Sequence, residues 1–246
     1  MKLRTGRTVE AGVIEPHNLL LNIYGRMYII LQIPNDPVRA EMETVDKRKV
    51  RGDRARANIV QHATQIASLE GLEGLTFGRI AASAGVARGN IQVLFGDRTA
   101  LQLATIENGV ALYTETVVVP AMALSSPLAR LAALVEGWFS FVEQRTLPGG
   151  CLIHALSNEY RTRPGEIRDR VEHHRLEARR RIVDLLREAR QAEELRAGVD
   201  VEELAFELTS FQSSANVAAL MGETDQFELA RRASRQRLAA ASKTNK

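Results

Sequence analysis

Residues 85–96, "GVARGNIQVLFG", decide how the rest of the chain is read. Gly85 follows an apolar helical run and supplies the left-handed backbone on which a helix stops. Ile91 recurs with Leu94 or Phe95 at helical spacing, so a short helix is expected there, closing at Gly96. Between the buried ends Arg88, Gly89, Asn90 and Gln92 remain outward. Just upstream, Thr76 is placed to cap another short helix in which Phe77, Ile80 and Ala81 face inward. Two short helices joined by a tight glycine-containing turn form a helix-turn-helix, whose second helix is built to lie in a DNA major groove.

Ile59, Val60, Ala63, Ile66 and Ala67 repeat at helical spacing ahead of this pair and predict a first helix ending near Gly71. In front of them, residues 47–56, "KRKVRGDRAR", carry Lys47, Arg48, Lys49, Arg51, Arg54 and Arg56 against the lone Asp53. Such a run is either a solvated, frayed leader or an arm that pairs with phosphates.

Downstream the pattern is helical throughout. One helix is expected from Asp97 through Val119 to Pro120, and a second from Pro127 with Leu131, Val135, Trp138 and Val142 on its stripe. Leu147, Pro148, Gly149 and Gly150 break the chain before a helix through Cys151, Leu152, Ala155 and Leu156. Pro164 suits a first helical turn, and Ile167, Val171, His174, Ala178, Ile182, Leu185 and Ala189 make a long stripe. The last two helices are expected from Asp200 to Met221 and from Asp225 toward Ser242, with both Asp residues as N-caps and Gly222 as a stop.

Composition agrees. The 246 residues are 45% hydrophobic and 26% charged, with 5% aromatics, and Ala, Leu, Glu and Arg outweigh the β-branched types. An all-α protein is predicted. A net charge of +3 permits a polyanion partner without requiring one. The single cysteine, Cys151, excludes an intrachain disulfide and fits a reducing compartment. The most apolar run, residues 19–33, is interrupted by Asn22, Gly25 and Arg26 and falls short of the ~20 residues a spanning helix needs, so no membrane partner is expected. Residues 1–45 are expected to be an extension outside the fold, with translation starting at Met42.

Residues 54–101 resemble the DNA-binding domain of TetR/AcrR-family transcriptional regulators. The resemblance rests on Gly71, Leu75, Thr76, Ile80, Ala81, Ala84, Gly85, Val86, Phe95, Arg98 and Leu101 at the family's spacing. Pro148–Val171 also resembles a segment found in one branch of such regulators. It implies a three-helix helix-turn-helix domain over 46–97, then a larger helical ligand-binding and dimerisation domain over 98–242. It further implies a cytoplasmic homodimer that pairs through its last two helices, reads double-stranded DNA, answers a small-molecule effector and acts as a repressor, with no enzymatic activity and no cofactor. Carried onto this sequence, Thr76, Gln92 and Arg98 fall at phosphate-contacting positions, where the family more often has Tyr for Gln92 and Lys for Arg98. Ala87 replaces the usual hydroxyl of the turn. Arg88, Gly89 and Asn90 take base-facing positions: Arg can pair bidentately with guanine and Asn with adenine. Val93, Lys49 and Arg51 complete the expected DNA-binding set.

Tyr113, Trp138, Phe141, Cys151, His154, His174 and Phe211 are the expected pocket residues, since ligand sites between helices combine aromatic surface with a few polar groups. At helical spacing each can equally be core. Cys151 with His154 one turn on also admits an all-α enzyme or a thiol redox sensor, against the plainer reading of Cys151 as a small buried hydrophobe. His173 and His174 are adjacent and so point to different helix faces, which argues against a metal site.

Overall fold

The computed structural model describes residues 37–243, with side chains from residue 47 onward except Arg48. The chain divides into two compact units, residues 1–51 and residues 52–246. In the first unit the backbone is helical from Pro37, so Met42 and residues 37–45 of the expected extension fall within α1, while the apolar run at 19–33 lies outside the described residues.

The helices are α1 (Pro37–Glu70), α2 (Phe77–Ala84), α3 (Arg88–Phe95), α4 (Arg98–Tyr113), α5 (Val119–Met122), α6 (Pro127–Glu143), α7 (Leu152–Glu159), α8 (Glu166–Gln191), α9 (Val201–Met221) and α10 (Thr224–Ala241). Among the described residues there is no strand; Leu195 and Ser242 form one isolated antiparallel bridge. No helix among them is long and apolar enough to cross a membrane.

Capping residues set several helix ends. Thr76 accepts from the Arg79 N–H at 3.2 Å to open α2, and Gly85, at φ 65°, ends it. Asp97 accepts from Ala100 N–H at 2.8 Å and opens α4. Asp200 accepts from the N–H groups of Glu202 and Glu203, and Gly222 ends α9 at φ 78°. Such a cap stabilises its helix by about 1 kcal/mol.

Several expectations are corrected. The basic run is helical, being the middle of α1, rather than a frayed leader. The helix that was to end at Pro120 instead widens into a π-helical turn at Thr114–Val118 and resumes as α5, with Pro120 in its first turn. Proline lacks the N–H that would have donated one turn back, and its first-turn position tolerates that loss. Pro164 precedes α8, which starts at Glu166 after Gly165. Asp225 lies within the first turn of α10 rather than at its cap. Ala178 is exposed, although the stripe on either side of it is buried.

In the second unit α1 contributes Ile59, Val60, Ala63 and Ala67 to a continuous core with Ile80, Ile91, Phe95, Leu101, Leu131, Phe139 and Leu186. Each such large side chain contributes roughly 1.5–3 kcal/mol on burial. The apolar stripe of α9, Val201, Leu204, Leu208, Ala215 and Ala218, is spent on this same core. A different face of α9 and α10 leaves Phe206, Val217, Met221 and Leu229 exposed, at 63%, 52%, 71% and 46%.

Candidate nucleic-acid interface and its linked interior site

Helix α3 is held from below by Ile91 and Phe95, both buried, so Arg88, Gly89, Asn90, Gln92 and Val93 all stand exposed on its other side. Val93 is 86% exposed, an unusual position for an isopropyl group on a folded surface. The helix begins at Ala87, which offers no side-chain cap, so amides of its first turn stay available to an outside acceptor. A shallow groove beside it is lined by Thr76, Arg88, Gln92 and Arg98. The sequence-predicted phosphate and base positions are thus brought to one surface. Lys49 and Arg51 are exposed residues of α1 in the first unit.

Besides the Thr76 cap, two of these side chains already have partners. Gln92 donates to the Gly96 carbonyl, one turn along. Arg98 donates to the Glu73 carbonyl at 2.8 Å and pairs with the Glu73 carboxylate at 3.0 Å, so it fastens the loop ahead of α2 as well as facing the groove.

That loop is gripped from the other side by a residue sequence reasoning missed. The Glu159 carboxylate, at the end of α7, accepts from the N–H groups of Leu72 and Glu73, each at 3.1 Å. Tyr160 donates its hydroxyl proton to Glu73 at 3.0 Å. That bond, together with Arg98 and Arg163, holds the Glu73 carboxyl below the usual range against a smaller opposing effect of burial. Gly71 has φ 73°, which favours glycine, and a Cβ there would displace the Glu159 carboxylate from its present place. No local periodicity marks Glu159, because its partners lie 86 or 87 residues away.

The opposite end of α7 is interior. Cys151 is its N-cap, and the Cys151 N–H donates to Asn216 at 2.8 Å. Trp138 meets His154 edge to face at 5.4 Å, and Tyr113 meets Phe141 likewise at 5.5 Å. Burial pushes the Cys151 thiol up, but the imidazole of His154 and the indole of Trp138 outweigh it, leaving the thiol at about 7. Burial opposes charge on His154, and the Cys151 thiolate raises it by more. Tyr113, chiefly through burial, is held well above the usual phenol range. Tyr113, Trp138, Phe141, Cys151 and His154 therefore share one region. His174 does not join them: it meets Glu107 at 3.0 Å beside Arg170 in a surface groove, because Glu107 on α4 faces that part of α8. Phe211 is partly buried on α9 and packs against the core without a ring contact to this cluster among the described residues. No group of His, Cys, Asp and Glu suited to a metal occurs among the described residues.

Residues 127–234 match the family model described as "Tetracyclin repressor-like, C-terminal domain". Over that stretch the chain is similar to tetracyclin repressor-like proteins. The match begins at the first residue of α6 and ends within α10, outside the helix-turn-helix that carries the motif. Solved TetR structures share the fold. A TetR transcriptional regulator from Chloroflexus aurantiacus is 23% identical at a TM-score of 0.72, over 78% of this chain and 98% of that one. One from Cytophaga hutchinsonii is 16% identical at 0.69, over 80% and 98%. AibR, in complex with isovaleryl coenzyme A and operator DNA, is 20% identical at 0.55, over 66% and 85%. No curated protein matches this chain.

Proposed function

We propose that the chain is a ligand-responsive transcriptional repressor that binds a palindromic operator as a homodimer in the cytoplasm and is released by a small, largely apolar effector. Residues 46–97 read DNA, residues 98–242 bind effector and partner, and residues 1–45 are an extension. The observation that carries this reading is the exposed face of α3, with Arg88, Asn90 and Val93 outward above a groove holding Thr76, Gln92 and Arg98. Arg88 and Asn90 suit base edges, while Thr76, Gln92, Arg98 and the uncapped amides at Ala87 suit phosphates.

Dimerisation is supported by the exposed apolar face of α9 and α10, since solvated Phe206, Val217 and Met221 would be covered by the same face of a second copy. The two-fold axis then sets half-sites about one helical turn apart or slightly more. AibR, with an acyl coenzyme A and operator DNA, shows that a relative of this fold accommodates both classes of partner. An enzyme or redox reading finds no support among the relatives, which are transcriptional regulators.

Binding-site selection followed by a salt titration tests the proposal. Affinity should fall steeply with salt, Asn90→Ala should relax discrimination, and Arg98→Ala should weaken all duplexes alike. Salt-insensitive binding, or none to any duplex, would sink it.

A further inference from the structure

Glu73, in the loop between α1 and α2, is shared by two parts of the chain. Its Oε2 meets Arg98 Nη2 at 3.0 Å, and Arg98 opens α4 and lines the groove beside α3. Its Oε1 takes the hydroxyl proton of Tyr160 at 3.0 Å and lies 3.5 Å from Arg163 Nη1, both in the segment between α7 and α8. The Arg163 guanidinium also lies over the Tyr160 ring, 5.6 Å from its centre. Among the described residues this carboxylate thus serves two cations, one on each oxygen. All three charged side chains are about half-exposed, so each pair is weak and open to exchange with another anion.

Arg98 is also the cation placed to take a DNA phosphate, so carboxylate and phosphate compete for one guanidinium. We propose that Glu73 occupies Arg98 in the DNA-free protein and yields it to a backbone phosphate, passing to Arg163 and Tyr160, so that Glu73 sets duplex affinity without touching DNA. This rests on the regulator reading above. Charge balances through the exchange: the phosphate keeps one cation, Arg98, and the carboxylate keeps the other, Arg163, so neither anion is left without a partner. The Glu73 carbonyl accepts from the same Nη2 at 2.8 Å and holds the guanidinium at the edge of the groove while its anionic partner changes.

The grip of the α7–α8 segment on Oε1 decides how readily Oε2 lets go. Tyr160 and Arg163 adjoin Glu159, whose carboxylate fixes the amides of Leu72 and Glu73 at 3.1 Å, so one short segment holds both the backbone of the loop and its side chain. A shift of that segment away from the loop takes the second cation from Glu73 and leaves the carboxylate to Arg98. Arg98 is then less available, and duplex affinity falls. By reciprocity, a duplex that draws Arg98 off Glu73 tightens the hold of Arg163 on it.

Equilibrium titration of the full-length protein on a selected operator duplex and on a random-sequence duplex tests the exchange, at low ionic strength where weakened variants still bind. Glu73→Gln keeps the side chain's size and an oxygen for Tyr160 but removes the charge, and should tighten both duplexes about threefold per half-site, the scale of one exposed ion pair. In an Arg98→Ala background the same substitution should change nothing, because the guanidinium it frees is gone. Equal tightening in both backgrounds would mean a general effect of charge and overturns the exchange. Arg163→Ala should weaken both duplexes about threefold, and adding Glu73→Gln should cancel that loss. A loss that persists in the double variant puts Arg163 on the DNA itself, and weaker binding by Glu73→Gln alone makes Glu73 a fixed support for Arg98; either result overturns the proposal. A parent protein that binds neither duplex overturns the regulator reading and the exchange with it, whereas a parent that binds while the variants match it overturns the exchange alone.

Discussion

The guanidinium of Arg56 lies 4.3 Å from the centre of the Phe95 ring and donates to the Leu94 carbonyl at 2.8 Å. A residue of the basic run, which the sequence offers as a phosphate partner, thus closes the C-terminal turn of α3. The contact combines a cation–π attraction with a charge-assisted hydrogen bond to an orphan carbonyl. Arg56→Ala should cost about 1–2 kcal/mol in denaturant titration and weaken duplex binding through misplacement of α3, with Arg56→Lys partly restoring stability. An unchanged unfolding midpoint in Arg56→Ala would refute the structural role.

Val93 makes the opposite prediction, an effect on recognition without one on folding. Its side chain touches little of the protein at 86% exposure, and an outward apolar group on a groove-facing helix suits a thymine methyl. Val93→Ala should leave the melting temperature within about 1 °C while reducing preference for one thymine by about 1 kcal/mol in site selection. A selected sequence identical to that of the parent would exclude base contact by this residue.

At Gly71 the expected penalty is steric. Gly71→Ala places a Cβ within 2.3 Å of the Glu159 carboxylate at a positive φ, and should destabilise by about 2 kcal/mol or more. Glu159→Ala alone leaves the amides of Leu72 and Glu73 without that acceptor. In the double variant the clash is absent, so a double-mutant cycle should show a coupling of about 1 kcal/mol. Strict additivity would mean that the two positions do not meet.

Glu136 links the fold to pH. Hydrogen bonds from Arg235 and Arg231 outweigh burial and hold its carboxyl at about 2. Because the folded value is depressed below the unfolded one, the stabilisation is full above the unfolded value near 4.5 and is lost as pH falls toward 2. The side chain is 35% exposed, so after solvent screening the contribution is about 1 kcal/mol. Glu136→Gln should therefore lower the melting temperature by about 2–4 °C at pH 7, and the difference from the parent should vanish in acid.

Legibility in the sequence followed the range of the interaction. Thr76, Gly85, Asp97, Asp200 and Gly222 act on backbone within a turn of themselves, and all five stand where local chemistry places them. The outward face of α3 was equally readable, because it is the complement of Ile91 and Phe95. Glu159 and the Phe95 contact of Arg56 were not, since each is defined by a partner 38 or more residues away and neither interrupts its helix's pattern. His174 misled for a related reason. A histidine in an apolar stripe looks interior until the facing helix supplies Glu107. The α9 stripe faces the chain's own core, and the face left for a partner, around Phe206 and Met221, is visible only after that packing is known.

Gly149 donates its N–H to the Ser68 hydroxyl at 3.1 Å, and a Cβ there would fall 1.6 Å from the Ser68 carbonyl oxygen. Backbone thus touches backbone where the end of α1 meets the turn before α7. Together with the Gly71 and Glu159 contact, it joins the end of α1 and the loop after it to α7 and the turn before it along a seam built around two glycines. Grafting residues 46–97, which carry Ser68 and Gly71, onto another body of this fold would preserve the junction only if the recipient kept glycine opposite Ser68 and an acid opposite Gly71. The inheritable module is therefore the junction as well as the two parts it joins.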